Sequence, residues 1–321
     1  MDLEKVNVEK EVKIVFMGTP EFAVPILNGI LENYQVRAII TQPDKKVGRE
    51  NKIIFSPIKK VGMEKTVLVL QPNSIKDAVE EIRVLQPDLI ITCAYGQILP
   101  SELLKVPRLG CINVHASLLP KFRGGAPIHR AIMEGATQTG VTIMYMNEGM
   151  DEGDIISQKS IAIEPTDTAS SLHNKLSILG RDLLLETLPS IIAGTNSRIK
   201  QDSSEATYGF VIRRVDERIS FNKTKRQVHN LIRGLYSWPG AYCLYEGKIL
   251  KVWKSYITEN YFPEMFDGQI TAIYKDGFGV KVSNGEVVFT EVQLEGKTRM
   301  KAIDFVHGVE NKEALVGKVL D

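Results

Sequence analysis

A chain of 321 residues is long enough for two domains of ordinary size. Its 43% hydrophobic and 25% charged content is that of a globular protein, and no apolar run approaches the roughly eighteen residues of a membrane span. A formal net charge of +1 excludes a global basic field, so any contact with nucleic acid has to come from local patches.

Charge is not evenly placed. Residues 206–321 hold 17 basic and 14 acidic side chains, and the remainder is slightly acidic. Residues 1–11 form a charged tail with no apolar leader segment, and the three cysteines, Cys93, Cys111 and Cys243, lie far apart. No disulfide framework follows, and a reducing cytoplasm is expected. No Cys or His pair has zinc-ligand spacing, so no metal is expected.

The first half alternates short apolar strands with helical patterns. Strands are expected at 13–17, 36–41, 67–70, 89–94, 111–115 and 141–144, with helices at 24–32, 75–85 and 128–134. Continuous β-branched runs separated by helices predict an α/β fold with a mainly parallel sheet and helices on both faces. Ligands of such sheets sit beyond the carboxyl ends of the strands. The run after the first strand, Gly18-Thr-Pro-Glu21, lacks the glycine spacing of a dinucleotide site, and neither a phosphate-binding loop nor a nucleophile elbow occurs.

Residues 45–60 hold six basic side chains and one acidic one, with Ile53, Ile54 and Phe55 among them. A strand-to-helix connection is usually about two to six residues long, so this one is extended. Its basic residues could hold phosphates while the apolar ones stack against bases; a solvated loop with a small apolar anchor is the plainer alternative.

The run Asn113-Val-His115-Ala-Ser117-Leu-Leu-Pro120-Lys-Phe-Arg123-Gly-Gly125-Ala-Pro127 ends a short strand in a Gly- and Pro-rich loop. Asn113 and His115 are two apart, so they point to the same side of the strand. An amide there can donate to a developing oxyanion and an imidazole can donate or shuttle a proton, which suits acyl chemistry. About thirty residues on, Met150-Asp151-Glu-Gly153-Asp154 places carboxylates in a Gly loop between two apolar runs. Asp-x-Gly is also a common turn.

A long helix is expected at 168–193, then a polar, aperiodic linker at 194–210. A helix at 224–234 follows. Strands are expected at 241–245, 248–257, 269–272, 279–282 and 286–292, separated by turn signals such as Asn284-Gly285. Five short strands of this kind suit a small OB-like β-barrel. Arg213, Arg214, Arg218, Lys223, Lys225, Arg226 and Arg233 form a second basic stretch against Asp216 and Glu217, either a charged helix face or a surface that tracks phosphates.

Taken together, the opening Ile14-Val-Phe-Met-Gly18-Thr-Pro20-Glu-Phe22, the Asn113-x-His115 pair, Ser117-Leu-Leu-Pro120 and Met150-Asp151-x-Gly153-Asp154 resemble the folate-dependent formyltransferase family. The resemblance runs from about Lys13 to the C-terminus and is closer to the branch that acts on methionine carried by initiator tRNA. It implies a Rossmann-like catalytic domain over 12–193 and an OB-like tRNA-binding domain over 211–321, joined by the linker 194–210. It implies 10-formyltetrahydrofolate as formyl donor and Asn113, His115 and Asp151 as the catalytic residues. Ser117, Leu118, Leu119 and Pro120 would lie at the folate, and segments 94–99 and 149–154 would line the pterin pocket. The insertion at 45–60 resembles one that enters the tRNA acceptor arm, so Lys45, Lys46, Arg49 and Lys52, with Arg213 and Arg214, are the expected tRNA contacts. Many members carry a lysine near Val211, which puts one phosphate contact in doubt. A monomer with no membrane partner is expected.

Two readings compete within the same catalytic core. A formyltransferase acting on an amino sugar nucleotide would have no use for the basic insertion, and a formyltetrahydrofolate hydrolase would have no use for the basic barrel domain. A non-catalytic RNA-binding protein would leave the co-occurrence of Asn113, His115 and Asp151 unexplained.

Overall fold

The computed structural model describes residues 12–47, 52–309 and 315–321. The chain divides into two compact units. The first takes in the chain up to Pro127 with residues 138–162 and 173–210; the second takes in 128–137, 163–172 and 211–321.

The first unit is built on a seven-stranded sheet. Its strands are β1 (Lys13–Gly18), β2 (Gln35–Ile40), β5 (Val69–Leu70), β6 (Leu89–Cys93), β7 (Cys111–His115), β8 (Gln138–Tyr145) and β9 (Ile155–Ala162). The order is β5-β2-β1-β6-β7-β8-β9. The pairings from β5 to β7 are parallel, and β8 and β9 are added antiparallel. The expected mainly parallel sheet is therefore present, with β9 as a strand the periodicity did not reveal. β6 is buried along its whole length and β1 along nearly all of it, because helices shield both faces. Helix Pro57–Glu64 starts where Ser56 accepts the Lys59 N–H at 3.0 Å, with a proline in the first turn.

The basic insertion is not a bare loop. Strands β3 (Lys45–Val47) and β4 (Lys52–Ile54) pair antiparallel as a hairpin. Directly opposed residues share a face, so Lys45, Lys52 and Ile54 lie on one side and Lys46 and Ile53 on the other. Its base is fixed by the Lys59–Asp44 ion pair at 2.5 Å, with Gln71 donating to the same carboxylate at 2.8 Å.

The aperiodic stretch 194–210 has little regular structure, yet it is bonded into the first unit. Ile199 and Ile155 exchange backbone hydrogen bonds of 2.9 and 2.8 Å, Arg123 N–H donates to Thr207 O, and Gly209 N–H donates to Arg123 O.

The second unit carries an antiparallel sheet. Strands β10 (Ala241–Tyr245), β11 (Lys248–Ile257), β12 (Ile270–Ile273), β13 (Phe278–Val282), β14 (Gly285–Leu294) and β15 (Met300–Lys301) follow the order β10-β11-β14-β13-β12, with β15 on β14. The last residues of the chain join its two edges. Ile270 N–H donates to Lys318 O and Leu320 N–H to Gly268 O on the β12 side, while Leu244 of β10 and Asp321 exchange a bond in each direction. That closure removes the open edges and gives the barrel its shape. Its core includes Phe278, Phe289, Val280, Val287 and Leu250. Helix Lys225–Gly234 packs on it, started by a reciprocal Thr224–Gln227 capping box.

This helix carries a pH liability. His229 donates to or accepts from Ser255 Oγ at 3.0 Å, and its imidazole is pushed down to about 4, chiefly by burial and then by Arg233 and Arg226. The unfolded chain's histidine titrates near 6.5, so on acidification the unfolded state takes the proton first. Stability present above that value falls by about 1.4 kcal/mol per pH unit between roughly 6.5 and 4. In denaturant titrations His229→Gln should flatten this decline relative to wild type; parallel declines would rule the effect out.

Cys93, Cys111 and Cys243 are all buried with no disulfide, and burial pushes each thiol up, Cys111 and Cys243 to about 12. They act as small apolar fillers.

Candidate active site

β7 runs through the middle of the sheet toward the carboxyl ends, with Asn113 opposite Thr92 on β6 and Met144 on β8. Thr92 Oγ1 donates to Asn113 Oδ1 at 2.9 Å. A carboxylate only accepts, so the Asn113 NH2 group faces Asp151 and donates to its Oδ1 at 3.4 Å.

His115 is buried, 6% exposed, with Nε2 at 3.1 Å from Phe122 O. A carbonyl only accepts, so Nε2 carries the hydrogen. Nδ1 then lies 3.6 Å from Asp151 Oδ2, and that contact gains a proton when the ring is cationic. The same carboxylate oxygen accepts the Gly124 N–H at 2.8 Å. Gly124 has φ +112°, a conformation that aims this N–H at the carboxylate and favours glycine. Asp151 itself sits at φ +50°, and Gly153 two residues later has no room for a side chain, since a Cβ would lie 1.9 Å from Tyr145 O. The structure thus joins Asn113 to Asp151 by a long hydrogen bond and sets His115 Nδ1 at 3.6 Å from the same carboxylate, an ion-pair distance, at the strand ends.

The residues expected at the folate follow directly. Ser117 is fully buried, and its hydroxyl donates to Lys121 O at 2.6 Å. Leu119 packs with Met144 and Ile155. Leu118 and Pro120 are half-buried. Segment 94–99 opens with Ala94 at φ +48°, and the carbonyl of Tyr95 accepts from Thr19 and Gln42. Ile98 in segment 94–99 and Met150 in segment 149–154 are exposed.

Lys45, Lys46 and Lys52 are exposed on the hairpin, as are Ile53 and Ile54. Arg49 lies outside the described residues. Arg213 and Arg214 belong to the second unit. The Arg213 side chain is 77% exposed, with Nε a distant 3.8 Å from Asp216, whereas Arg214 pairs closely with Glu217 and lies over the Tyr242 ring at 4.0 Å. Arg213 is therefore the better placed of the two for an outside anion. Among the described residues, no group of three His, Cys, Asp or Glu side chains is arranged to hold a metal, and no helix is long and apolar enough to cross a membrane.

Thr92 and Gly124 hold the site and could not be singled out from sequence. Thr92 sits in an apolar strand run 21 residues before its partner. Only the sheet pairing brings them together.

Residues 12–188 match the family model described as formyl transferase, and residues 211–310 match the formyl transferase C-terminal domain. The chain belongs to the formyl transferase family. It is 48% identical over 307 residues to the methionyl-tRNA formyltransferase of Macrococcus caseolyticus, spanning 95% of this chain and 97% of that one. It is likewise 48% identical over 312 residues to the same-named protein of Staphylococcus aureus, spanning 96% and 99%. Among solved structures, an N-formyltransferase from Helicobacter canadensis, crystallised with folinic acid and dTDP-3-aminofucose, superposes with TM-score 0.66 at 24% identity, over 87% of this chain and 98% of that one. HypX from Aquifex aeolicus gives TM-score 0.66 at 18% identity, over 93% of this chain and 50% of that one. These two likenesses establish a shared fold for this family member.

Proposed function

We propose that this enzyme moves the formyl group of 10-formyltetrahydrofolate to the amino group of methionyl initiator tRNA, in the cytoplasm. The observation that carries the reading is the near-full-length identity of about 48% to methionyl-tRNA formyltransferases. The Asn113–His115–Asp151 cluster supplies the chemistry that reaction needs.

The neutral methionyl amine attacks the formyl carbon, forming a C–N bond and a tetrahedral centre with a negative oxygen. Asn113 Nδ2 donates to that oxygen, and His115 adds positive charge when protonated. Asp151 holds the imidazole and orders a water that carries the proton from the attacking amine to N10 of the folate. The C–N10 bond then breaks, leaving tetrahydrofolate and the formylated amine. No side chain is acylated, so no nucleophilic Ser or Cys is required. Ser117 through Pro120 would shape the wall on which the folate rests, with segments 94–99 and 149–154 around the pterin.

The exposed hairpin supports an RNA substrate over an amino sugar nucleotide. Lys45 and Lys52 on one face and Lys46 on the other can each meet a phosphate, with Ile53 and Ile54 beside them for apolar contact. Arg49 would add one more cation to that stretch of sequence, and Arg213 and Arg214 of the second unit would supply further contacts to the tRNA.

The deciding assay incubates the enzyme with 10-formyltetrahydrofolate and offers methionyl initiator tRNA, methionyl elongator tRNA or an amino sugar nucleotide. Formyl transfer to the initiator tRNA alone is expected; transfer to the sugar alone would overturn the reading. Removing Lys45 and Lys52 together should raise KM for the tRNA and leave KM for the folate unchanged. The log–log salt slope of tRNA binding should fall in magnitude by about 1 for each phosphate that no longer meets a lysine. Unaltered tRNA kinetics across salt would mean the hairpin does not touch the substrate.

A further inference from the structure

Gln201 lies in the stretch read from sequence as a linker, and nothing in the motif pattern marks it. It is nevertheless 6% exposed, and every polar atom of its side chain is engaged. Nε2 donates to Asp151 O and to Gly153 O, both at 2.8 Å. Oε1 accepts from Arg123 Nε at 3.1 Å and from Arg123 Nη2 at 2.9 Å. The orientation of the amide is forced, since a flip would set donors against donors and acceptors against acceptors at all four contacts. Arg123 is 2% exposed, an uncommon place for a guanidinium, and its Nη1 lies 3.7 Å from Glu152 Oε2. The Ile199–Ile155 backbone pair secures the segment two residues before Gln201.

These contacts converge on one short loop. Asp151 holds a left-handed φ of +50°, a conformation that a non-glycine residue keeps when its surroundings over-determine it. The Gln201 amide bonds the carbonyl of Asp151 itself and that of Gly153, so it clamps the backbone from which the carboxylate projects. The opposite side of the site is held by the same strap. Phe122, whose carbonyl meets His115, donates its N–H to Thr207 Oγ1 at 2.9 Å, and Arg123 N–H donates to Thr207 O at 2.9 Å.

We infer that Gln201 is a positioning residue for the transfer step: braced by Arg123, it sets the Asp151 carboxylate against His115 and Asn113. The inference rests on the reading of Asp151 as a catalytic group. Glutamate at this position keeps the volume and still gives Arg123 an acceptor, but it has no N–H to offer the carbonyls of Asp151 and Gly153. Gln201→Glu therefore removes the clamp and sets a carboxylate oxygen against two carbonyls, so some loss of Tm accompanies it. A misplacement of the order of an ångström is enough to cost a large factor in rate.

The test is a double-mutant cycle of Gln201→Glu and Asp151→Ala in the formyl-transfer assay, with thermal unfolding as the control. Gln201→Glu is expected to lower kcat by about 10- to 100-fold with KM for both substrates nearly unchanged. Amide exchange over 149–154 should rise more than exchange elsewhere in the sheet, and the enzyme should stay folded at the assay temperature. On the Asp151→Ala background it should cost no more than about twofold further, because its effect travels through the missing carboxylate. Wild-type kcat in Gln201→Glu, or a full additional loss on the Asp151→Ala background, would overturn the role of Gln201 and leave Asp151 standing. An Asp151→Ala enzyme of normal turnover would instead overturn the reading of Asp151, and this inference with it. Should Gln201→Glu fail to fold, Gln201→Met combined with Arg123→Met removes donors and buried charge together, and carries the same comparison.

Discussion

His115→Ala and Asp151→Ala should each lower kcat by about 10² to 10⁴, the usual worth of a positioned acid–base group. The two losses should not add. His115 Nδ1 and Asp151 Oδ2 face each other at 3.6 Å, so removing either leaves the other without its partner. The double variant is expected to resemble the worse single one. Asp151 sits at φ +50°, where Asn is tolerated better than Ala, so Asp151→Asn is the control for strain in its loop. His115 is more deeply buried, so His115→Gln, which can still donate to Phe122 O, is the control for impaired packing. Steady-state kinetics with both substrates, alongside thermal unfolding, decide the matter. Near-normal kcat in either alanine variant with Tm intact would remove the mechanism.

What could be read from the sequence, and what could not, follows the range of the forces involved. The sheet strands β1 and β6 were legible because each is a nearly continuous apolar run, and that pattern is local; in β7 the apolar Cys111, Ile112 and Val114 marked the strand despite Asn113 and His115. The same-side placement of Asn113 and His115 followed from a period of two. Asp151 could be associated with them only through the family resemblance, since 38 residues separate it from Asn113. The hairpin at 45–54 was hidden because Lys, Gly and Asn mask an alternation only three residues long on each side. Gln201 and Thr207 were hidden for a different reason. Their segment has no periodicity, and its order comes from single hydrogen bonds to a loop some 50 to 85 residues away. The closing of the barrel was equally silent, because it depends on backbone bonds made by residues 317–321 that carry no side-chain pattern.

Asn113→Ala should cost about 10² to 10³ in kcat through the missing oxyanion donor. The formyl oxygen carries full negative charge only in the tetrahedral state, so KM for the folate should move little. Thr92 sharpens the test. Its hydroxyl donates to Asn113 Oδ1 and so supports the amide orientation that the Asp151 carboxylate selects. Thr92→Val keeps the shape and removes the donor. The Asn113 oxygen is then left without that partner and the amide is held from the Asp151 side alone, less firmly. A smaller loss of kcat is expected in Thr92→Val than in Asn113→Ala, and no further loss when Thr92→Val is added to Asn113→Ala. If Asn113→Ala instead raised KM at constant kcat, the amide would be a ground-state contact and not an oxyanion donor. If Thr92→Val reduced turnover equally with and without Asn113, the threonine would act on the strand packing and not on the orientation of the amide.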